Sequence, residues 1–205
     1  MLIPDIFINC PYSLPTKGIL HIGAFDCEEK PFYLENGIKN ENILWIEALE
    51  KLVERNSLNN NILNAVISDK DDEEIEFTIT NNLSSSSILN LKEHLNEHPD
   101  IFVINKLLLK TITLNSFYDK HNINYDKYDF INIDIQGAEL KALKGATKIL
   151  PHIKAIYTEV NIKEIYENCC LIEDLDNYLK EFNFIRILTK FTPNGWGDAL
   201  YIKMI

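Results

Sequence analysis

Arginine is the scarcest charged residue in the sequence, occurring only at Arg55 and Arg186, and 20 basic side chains stand against 31 acidic ones for a net charge of −11. Nucleic acid and anionic membrane surfaces recruit clustered positive charge, so neither is expected as a partner. Long apolar runs are missing too, and none approaches the ~20 residues of a membrane-spanning helix. The four cysteines, Cys10, Cys27, Cys169 and Cys170, show no C-x-x-C spacing. The opening MLIPDIFINCPYS lacks a basic stretch followed by a long apolar one. A reduced, cytoplasmic setting is therefore expected, which makes Asn82-Leu83-Ser84 a chance sequon. Also absent is the G-x-G-x-x-G that cradles a pyrophosphate, since Gly23 is followed by Ala24, Phe25, Asp26, Cys27 and Glu28.

What remains is an ordinary globular composition, 46% hydrophobic and 25% charged over 205 residues. A chain of this size buries about 70% of its unfolded surface and needs no disulfide or metal staple. A single domain over 1–205 is expected, with 1–17 as an N-terminal extension and 18–205 as the core. The acidic run Asp69 to Glu76 reads as a solvated turn leading into a strand.

The chain alternates apolar strands with helical spacing. Gly18 to Ile22 stops at Gly23-Ala24 and gives way to a helix over Cys27 to Asn36 with a proline in its first turn. Asn42 to Ile46 ends at Glu47 and is followed by a helix over Ala48 to Arg55, and a third strand runs from Ile62 to Ile67. Ile75, Phe77 and Ile79 alternate with polar residues, as in a half-exposed strand, before a polar loop over Asn81 to Ser87. A helical stretch near Ile88 to Glu97, a strand over Lys110 to Leu114 and a helix over Asn115 to His121 follow. Phe130 to Asp134 is the clearest buried strand, with Gly137 and a helix over Ala138 to Leu150 after it. Ala155 to Val160 is the next strand, Glu173 to Phe182 the next helix, and Phe184 to Leu188 and Ala199 to Lys203 form a closing antiparallel pair. This pattern predicts an α/β, doubly wound, three-layer sandwich with right-handed crossovers.

In such a sheet a ligand lies beyond the carboxyl ends of the strands. The residues there are Gly23 and Ala24, Glu47, Asn64 and Ala65, Asp134 and Glu159. The small pair Gly23-Ala24 lets a ligand press against backbone and a helix N-terminus. Glu47, 24 residues beyond Gly23, stands where nucleoside-binding folds place the acid that bonds ribose hydroxyls. Asp26 and Glu28 in the first turn repel a diphosphate, so a nucleoside with a cationic centre is the better guest. S-adenosylmethionine fits that description.

The blocks LHIGAFDCEE, ILWIEAL, NAVISD, KTITLNSF, FINIDIQGAELKALKGATKIL, IYTEV and GDALYI resemble, in order and spacing, those of the FkbM-type methyltransferases. The most specific part is DIQGAE at Asp134 to Glu139 followed by LKGA at Leu143 to Ala146. The resemblance implies a class I methyltransferase (Rossmann-like) fold with a mostly parallel seven-stranded sheet and an antiparallel C-terminal strand. It also implies S-adenosyl-L-methionine as cofactor and a hydroxyl of a sugar, glycan or other small molecule as acceptor. Its cofactor positions carry over to His21, Ile22, Gly23, Ala24 and Phe25, to Glu47 and Ala48 for the ribose, to Asn64 and Ala65 near the adenine, and to Asp134 near the methionine end. Where members often have a second glycine, this chain has Cys27.

Methyl transfer from a sulfonium is an in-line displacement, so alignment supplies much of the acceleration. A hydroxyl acceptor must also lose a proton, and Glu139 is the preferred general base, with Glu159 next and Asp134 kept with the cofactor. A dipole-stabilising role competes evenly for Glu139. Ser84 to Ser87 read either as acceptor rim or as plain loop. Met1 to Thr16 and Asn81 to Thr111 are the segments left to build the acceptor pocket, and a small lid or a second subunit, as in a homodimer, is expected to complete it. His94-Leu-Asn-Glu-His98 matches H-x-x-E-H, but no third ligand is apparent and no metal is expected. His121 and His152 read as surface residues, and Cys169-Cys170 as helix packing. The rival readings are a catalytically idle member of the fold and a nucleotide-sugar or nicotinamide enzyme.

Overall fold

The computed structural model describes residues 7, 15, 17–93 and 98–204. Regular structure begins with β1 (Ile19–Ile22), all four residues of which are buried. That is what a strand covered on both faces requires, and it explains the unbroken apolar run. The first turn of α1 (Lys30–Glu35) carries Pro31, where a missing N–H costs no helical hydrogen bond. Then come β2 (Ile43–Glu47), α2 (Glu50–Asn56) and β3 (Ile62–Asn64). Three strands of a second sheet follow: β4 (Val66–Ile67), β5 (Glu74–Thr80) and β6 (Val103–Ile112). The Thr113 side chain caps α3 (Leu114–Lys120) by accepting from the Ser116 N–H. The C-terminal half holds β7 (Phe130–Ile133), α4 (Glu139–Lys144), β8 (Ala155–Asn161), α5 (Ile172–Lys180), β9 (Phe184–Phe191) and β10 (Trp196–Lys203).

The main sheet has seven strands in the order β3-β2-β1-β7-β8-β10-β9. Every pairing up to β8 is parallel, and β10 runs antiparallel to both β8 and β9. Strand order reverses between β1 and β7, the switch point where such sheets open a crevice. Alternation along the strands sorts the core into two layers. Leu20, Ile22, Leu44, Ile46, Ile131 and Ile133 face α3, α4 and α5, while Ile19, Trp45, Phe130 and Tyr157 face the α1 side around Tyr33. No helix among the described residues is long and apolar enough to cross a membrane.

Several sequence expectations need correction. The third strand is two strands: Ile62–Asn64 joins β2 in the main sheet, and Val66–Ile67 pairs with Thr111 and Ile112 in the other. Of the strand expected over Lys110 to Leu114, Lys110 to Ile112 are the end of the ten-residue β6, whose consecutive Leu107, Leu108 and Leu109 hide its alternation, and Leu114 already opens α3. Ile88 to Glu93 form no helix. Their apolar residues serve tertiary contacts instead, with Leu91 bridged to Tyr166. The rest of that expected helix, and most of 1–16, lie outside the described residues. Helices after β1 and β7 are shorter than their apolar spacing suggests, α4 ending at Gly145. Glu159 lies within β8, which continues to Asn161.

Candidate active site

Two adjoining cavities open at the switch point. The smaller, about 60 Å³, is mostly apolar, bounded by Ile46, Glu47, Ala65, Val66, Leu83 and Ile88 among others. The larger, about 330 Å³, extends along the α1 face of the sheet and is walled by Asn132, Tyr157, Glu159, Tyr166, Trp196 and Asp198. Gly23, Phe25, Ser84, Asp134 and Gln136 border both. The two therefore form halves of one cleft.

Two facing turns make the waist. After β1, Gly23 sits at φ +89°, and a Cβ there would lie 1.8 Å from the Asp134 carbonyl oxygen. Only glycine tolerates both the dihedral and the approach. Phe25 and Cys27 are left-handed as well, at φ 43° and 55°. This explains a glycine at position 27 as the easier choice, and burial pushes the Cys27 thiol up to about 12. Opposite, Gln136 (φ 58°) and Gly137 (φ 95°) turn the chain from β7 into α4. Strain of this kind persists where neighbouring groups over-determine it.

Glu47, the last residue of β2, pins the first turn. Its Oε2 accepts from the Phe25 N–H and its Oε1 from the Leu49 N–H, each at 2.9 Å. Each oxygen keeps a second lone pair for the apolar half of the cleft. Burial raises this carboxyl above the usual range, while the backbone donors oppose that shift. Ala48 and Ala65 border the same half. Asn64 does not: its amide caps the Glu47 and Ala48 carbonyls at 3.0 and 2.9 Å, and it borders a separate surface hollow. The Asn64 side chain is therefore turned away from the cleft.

His21 is buried on the α1 face. Asn132 donates to the Tyr33 hydroxyl at 2.5 Å, which leaves that hydroxyl's proton for His21 Nδ1 at 2.9 Å. Desolvation lowers His21 to about 3, so the ring is neutral and stacks on Trp45 with centroids 4.4 Å apart. It borders the larger cavity, and Ile22 and Ala24 each face one half of the cleft.

Asp134 follows β7 and opens on the waist. Its residue surface is exposed to the open cleft, yet the protein around the waist raises its carboxyl to about 6, through desolvation first and then the carboxylates of Asp198 and Glu29, with the Gln136 amide opposing. Glu159 is raised well above the carboxylate range by burial, with Asp134 and Glu139 adding to it. Asp198, directly opposite Glu159 across the β8–β10 ladder, accepts from the Tyr157 hydroxyl.

Glu139 is the principal correction. It is fully buried and borders neither half of the cleft. Its Oε1 accepts from the Ile135 and Gly137 N–H groups at 3.0 and 3.1 Å. The side chain of the first α4 residue thus folds back under the turn, and its Oε2 is buried without a hydrogen-bond partner. Desolvation raises it to about 7, with Asp134 adding to the effect. It shapes the waist from beneath, and its carboxyl does not border the cleft, whereas those of Asp134, Glu159 and Asp198 do.

Sequence reasoning missed Asn132, Tyr157, Tyr166 and Asp198 as site residues. A period of two from Tyr157 to Glu159 on a buried strand, and the acid inside GDALYI, were the available signals for two of them. Tyr166 reaches in from a loop and carries none. Ser84 and Ser85 border the larger cavity. So does His98, although H-x-x-E-H was read as remote from the ligand edge; its partners His94 and Glu97 lie outside the described residues. Among the described residues no cluster of three or more His, Cys, Asp or Glu is arranged to hold a metal ion.

The family model described as the methyltransferase FkbM domain matches residues 19–186. A 2-O-methyltransferase, NoeI, of Sinorhizobium fredii is 27% identical over 116 residues. That match takes in 57% of this chain and 46% of the relative, so the chain spans about half of that protein's length. Among solved structures, magnesium protoporphyrin IX methyltransferase of Synechocystis PCC 6803 with bound SAM aligns over 93% of this chain and 72% of its own, at 10% identity and a TM-score of 0.49. An O-methyltransferase of Bacillus cereus in complex with SAH aligns over 92% and 74%, at 15% identity and a TM-score of 0.46.

Proposed function

We propose, from the premise that the chain belongs to the methyltransferase FkbM domain family, that it transfers the methyl group of S-adenosylmethionine to a hydroxyl oxygen of an uncharged sugar, glycan or small molecule. The observation that carries this reading is the two-part cleft at the switch point, with an apolar half governed by Glu47 and a carboxylate-walled half beyond Asp134.

The residues fit the cofactor. Glu47 offers acceptor lone pairs to the ribose hydroxyls, and Ile46, Ala65, Val66 and Leu83 offer apolar surface to the adenine. The missing side chain at Gly23 lets the first turn close against the Asp134 carbonyl, and Gly23 borders both halves of the cleft, where the methionyl chain would run. Asp134, Glu28 and Glu29 supply negative potential to its cationic groups. The same acids oppose a diphosphate, which disfavours nucleotide-sugar and nicotinamide ligands. When bound, the cofactor supplies an electrophilic methyl group on a sulfonium.

The chain's own part is alignment and proton removal. Trp196, half-buried on the wall of the larger cavity, gives the acceptor half an aromatic surface for a sugar ring. Glu159 faces that space and is the general base of this reading. Its raised value makes it a stronger base than an ordinary carboxylate once ionised, so activity should rise with pH above the usual carboxylate range. The weak kinship to a 2-O-methyltransferase supports oxygen as the acceptor atom.

The test is turnover of labelled S-adenosylmethionine with a panel of neutral sugars and glycans. Methyl transfer to a hydroxyl is expected, with loss of at least about a hundredfold in Glu159→Gln, the lower end for a removed acid–base group. Full activity in that variant would remove the base assignment, and transfer confined to nitrogen or carbon acceptors would contradict the substrate class.

A further inference from the structure

Gln136 makes more connections across the cleft than any residue singled out from the sequence. Its Nε2 donates to Asp134 Oδ1 at 2.7 Å and to Glu159 Oε2 at 3.1 Å. Its Oε1 accepts from the Tyr166 hydroxyl, and its backbone carbonyl accepts from Ser87 Oγ at 2.8 Å. Tyr166 also lies 3.3 Å from the Ser85 carbonyl oxygen. A carboxamide has one acceptor end and one donor end, so two carboxyl groups at its nitrogen settle which way the amide points, and the Tyr166 hydroxyl, which can donate or accept, gives its proton to the oxygen. Both N–H groups then face carboxylates, one on each side of the waist.

We infer that Gln136 is a positioning residue for the proposed reaction: its amide, with the oxygen held by Tyr166, bridges Asp134 at the cofactor half to Glu159 at the acceptor half, fixes the two side chains across the waist and favours the ionised form of Asp134. The left-handed backbone at Gln136 serves this bridge, because φ 58° carries the side chain back over the strand ends. The Ser87 contact ties the same residue to the loop that covers both halves.

The ionisable groups around Asp134 come from every packed element: Glu29 ahead of α1, Glu139 at the start of α4, Glu159 on β8, Asp198 on β10, neutral His21 on β1, and Tyr166 from the loop after β8. Burial and the carboxylates of Asp198 and Glu29 disfavour a charge on Asp134, and the Gln136 amide opposes them. Removing that amide therefore moves the ionisation of Asp134 to higher pH.

The inference rests on the cofactor reading above, and the experiment separates the two. Calorimetric titration of the full chain with S-adenosylmethionine is run across pH for the wild type, Gln136→Ala, Gln136→Glu and Tyr166→Phe. Wild-type affinity for this cationic ligand should fall as pH is lowered through about 6. In Gln136→Ala that midpoint should move alkaline by about one pH unit, a tenfold loss of affinity on the acid side. Gln136→Glu should move it further by adding a third carboxylate. Tyr166→Phe keeps Gln136 but frees its amide to turn, and should shift the midpoint in the same direction. It decides the matter if the Gln136 variants do not fold. Uniform weakening with an unmoved midpoint would overturn the positioning role and leave the cofactor reading standing. Absence of binding by the wild type at every pH would overturn the cofactor reading, and this inference with it.

Discussion

Glu139, the carboxylate of the most specific motif of the sequence, has its side chain folded under the turn that follows β7. It is buried with one oxygen on two backbone N–H groups and the other without a partner. Its value in the fold, about 7, stands above the ordinary 4.5, so between those values the native state holds a proton that the unfolded chain has released. The contribution of this group to stability is therefore present at low pH and lost as pH rises through that window. Glu139→Gln keeps the accepting oxygen and removes the buried charge. Its melting temperature relative to the wild type should climb steadily from about pH 5 to about pH 8, measured by circular dichroism, with methyl transfer retained. A gap that is flat with pH would contradict the account. At this scale the sequence was partly legible. Residues just beyond strand ends, such as Gly23, Glu47 and Asp134, follow from the topology rule for open sheets. Whether a side chain then points into the cleft or under it is decided by backbone turns, as Asn64 and Glu139 both illustrate.

Among the elements, the two facing turns after β1 and β7 set the geometry of the cleft. A methyl group at position 23 would collide with the carbonyl of Asp134 and require a dihedral that side chains avoid. Gly23→Ala should cost about 3 kcal/mol in denaturant unfolding and abolish cofactor binding, through strained backbone and separated strands. Unchanged stability would mean that the turns do not meet as described. Strands and their order were readable because parallel strands covered on both faces are unbroken apolar runs, as in Phe130–Ile133. The second sheet was not. Val66–Ile67 leaves the main sheet after one residue, and the long β6 exposes Ile104 and Leu108 to solvent, so neither period nor burial marks it. Apolar spacing at Ile88 to Glu93 mimicked a helix because Leu89 and Leu91 pack against Ile165 and Tyr166 in an irregular segment.

For the molecule as a whole, charge and cleft agree. Of 205 residues, the acidic excess of 11 includes the carboxylates that wall the crevice, while neither arginine borders it. Such a field favours a cationic nucleoside and an uncharged acceptor over phosphorylated ligands. The smaller cavity lies at the β1–β7 switch point, where open sheets take their ligands, and the larger extends along β8 and β10. The central claim is that this cleft binds S-adenosylmethionine through Glu47. Isothermal calorimetry with S-adenosylhomocysteine tests it most directly. The account predicts one site per chain in the wild type and an affinity about ten- to a hundredfold lower in Glu47→Ala, the loss expected for hydrogen bonds to a charged group. No heat with the wild type, or equal affinity in the variant, would contradict it.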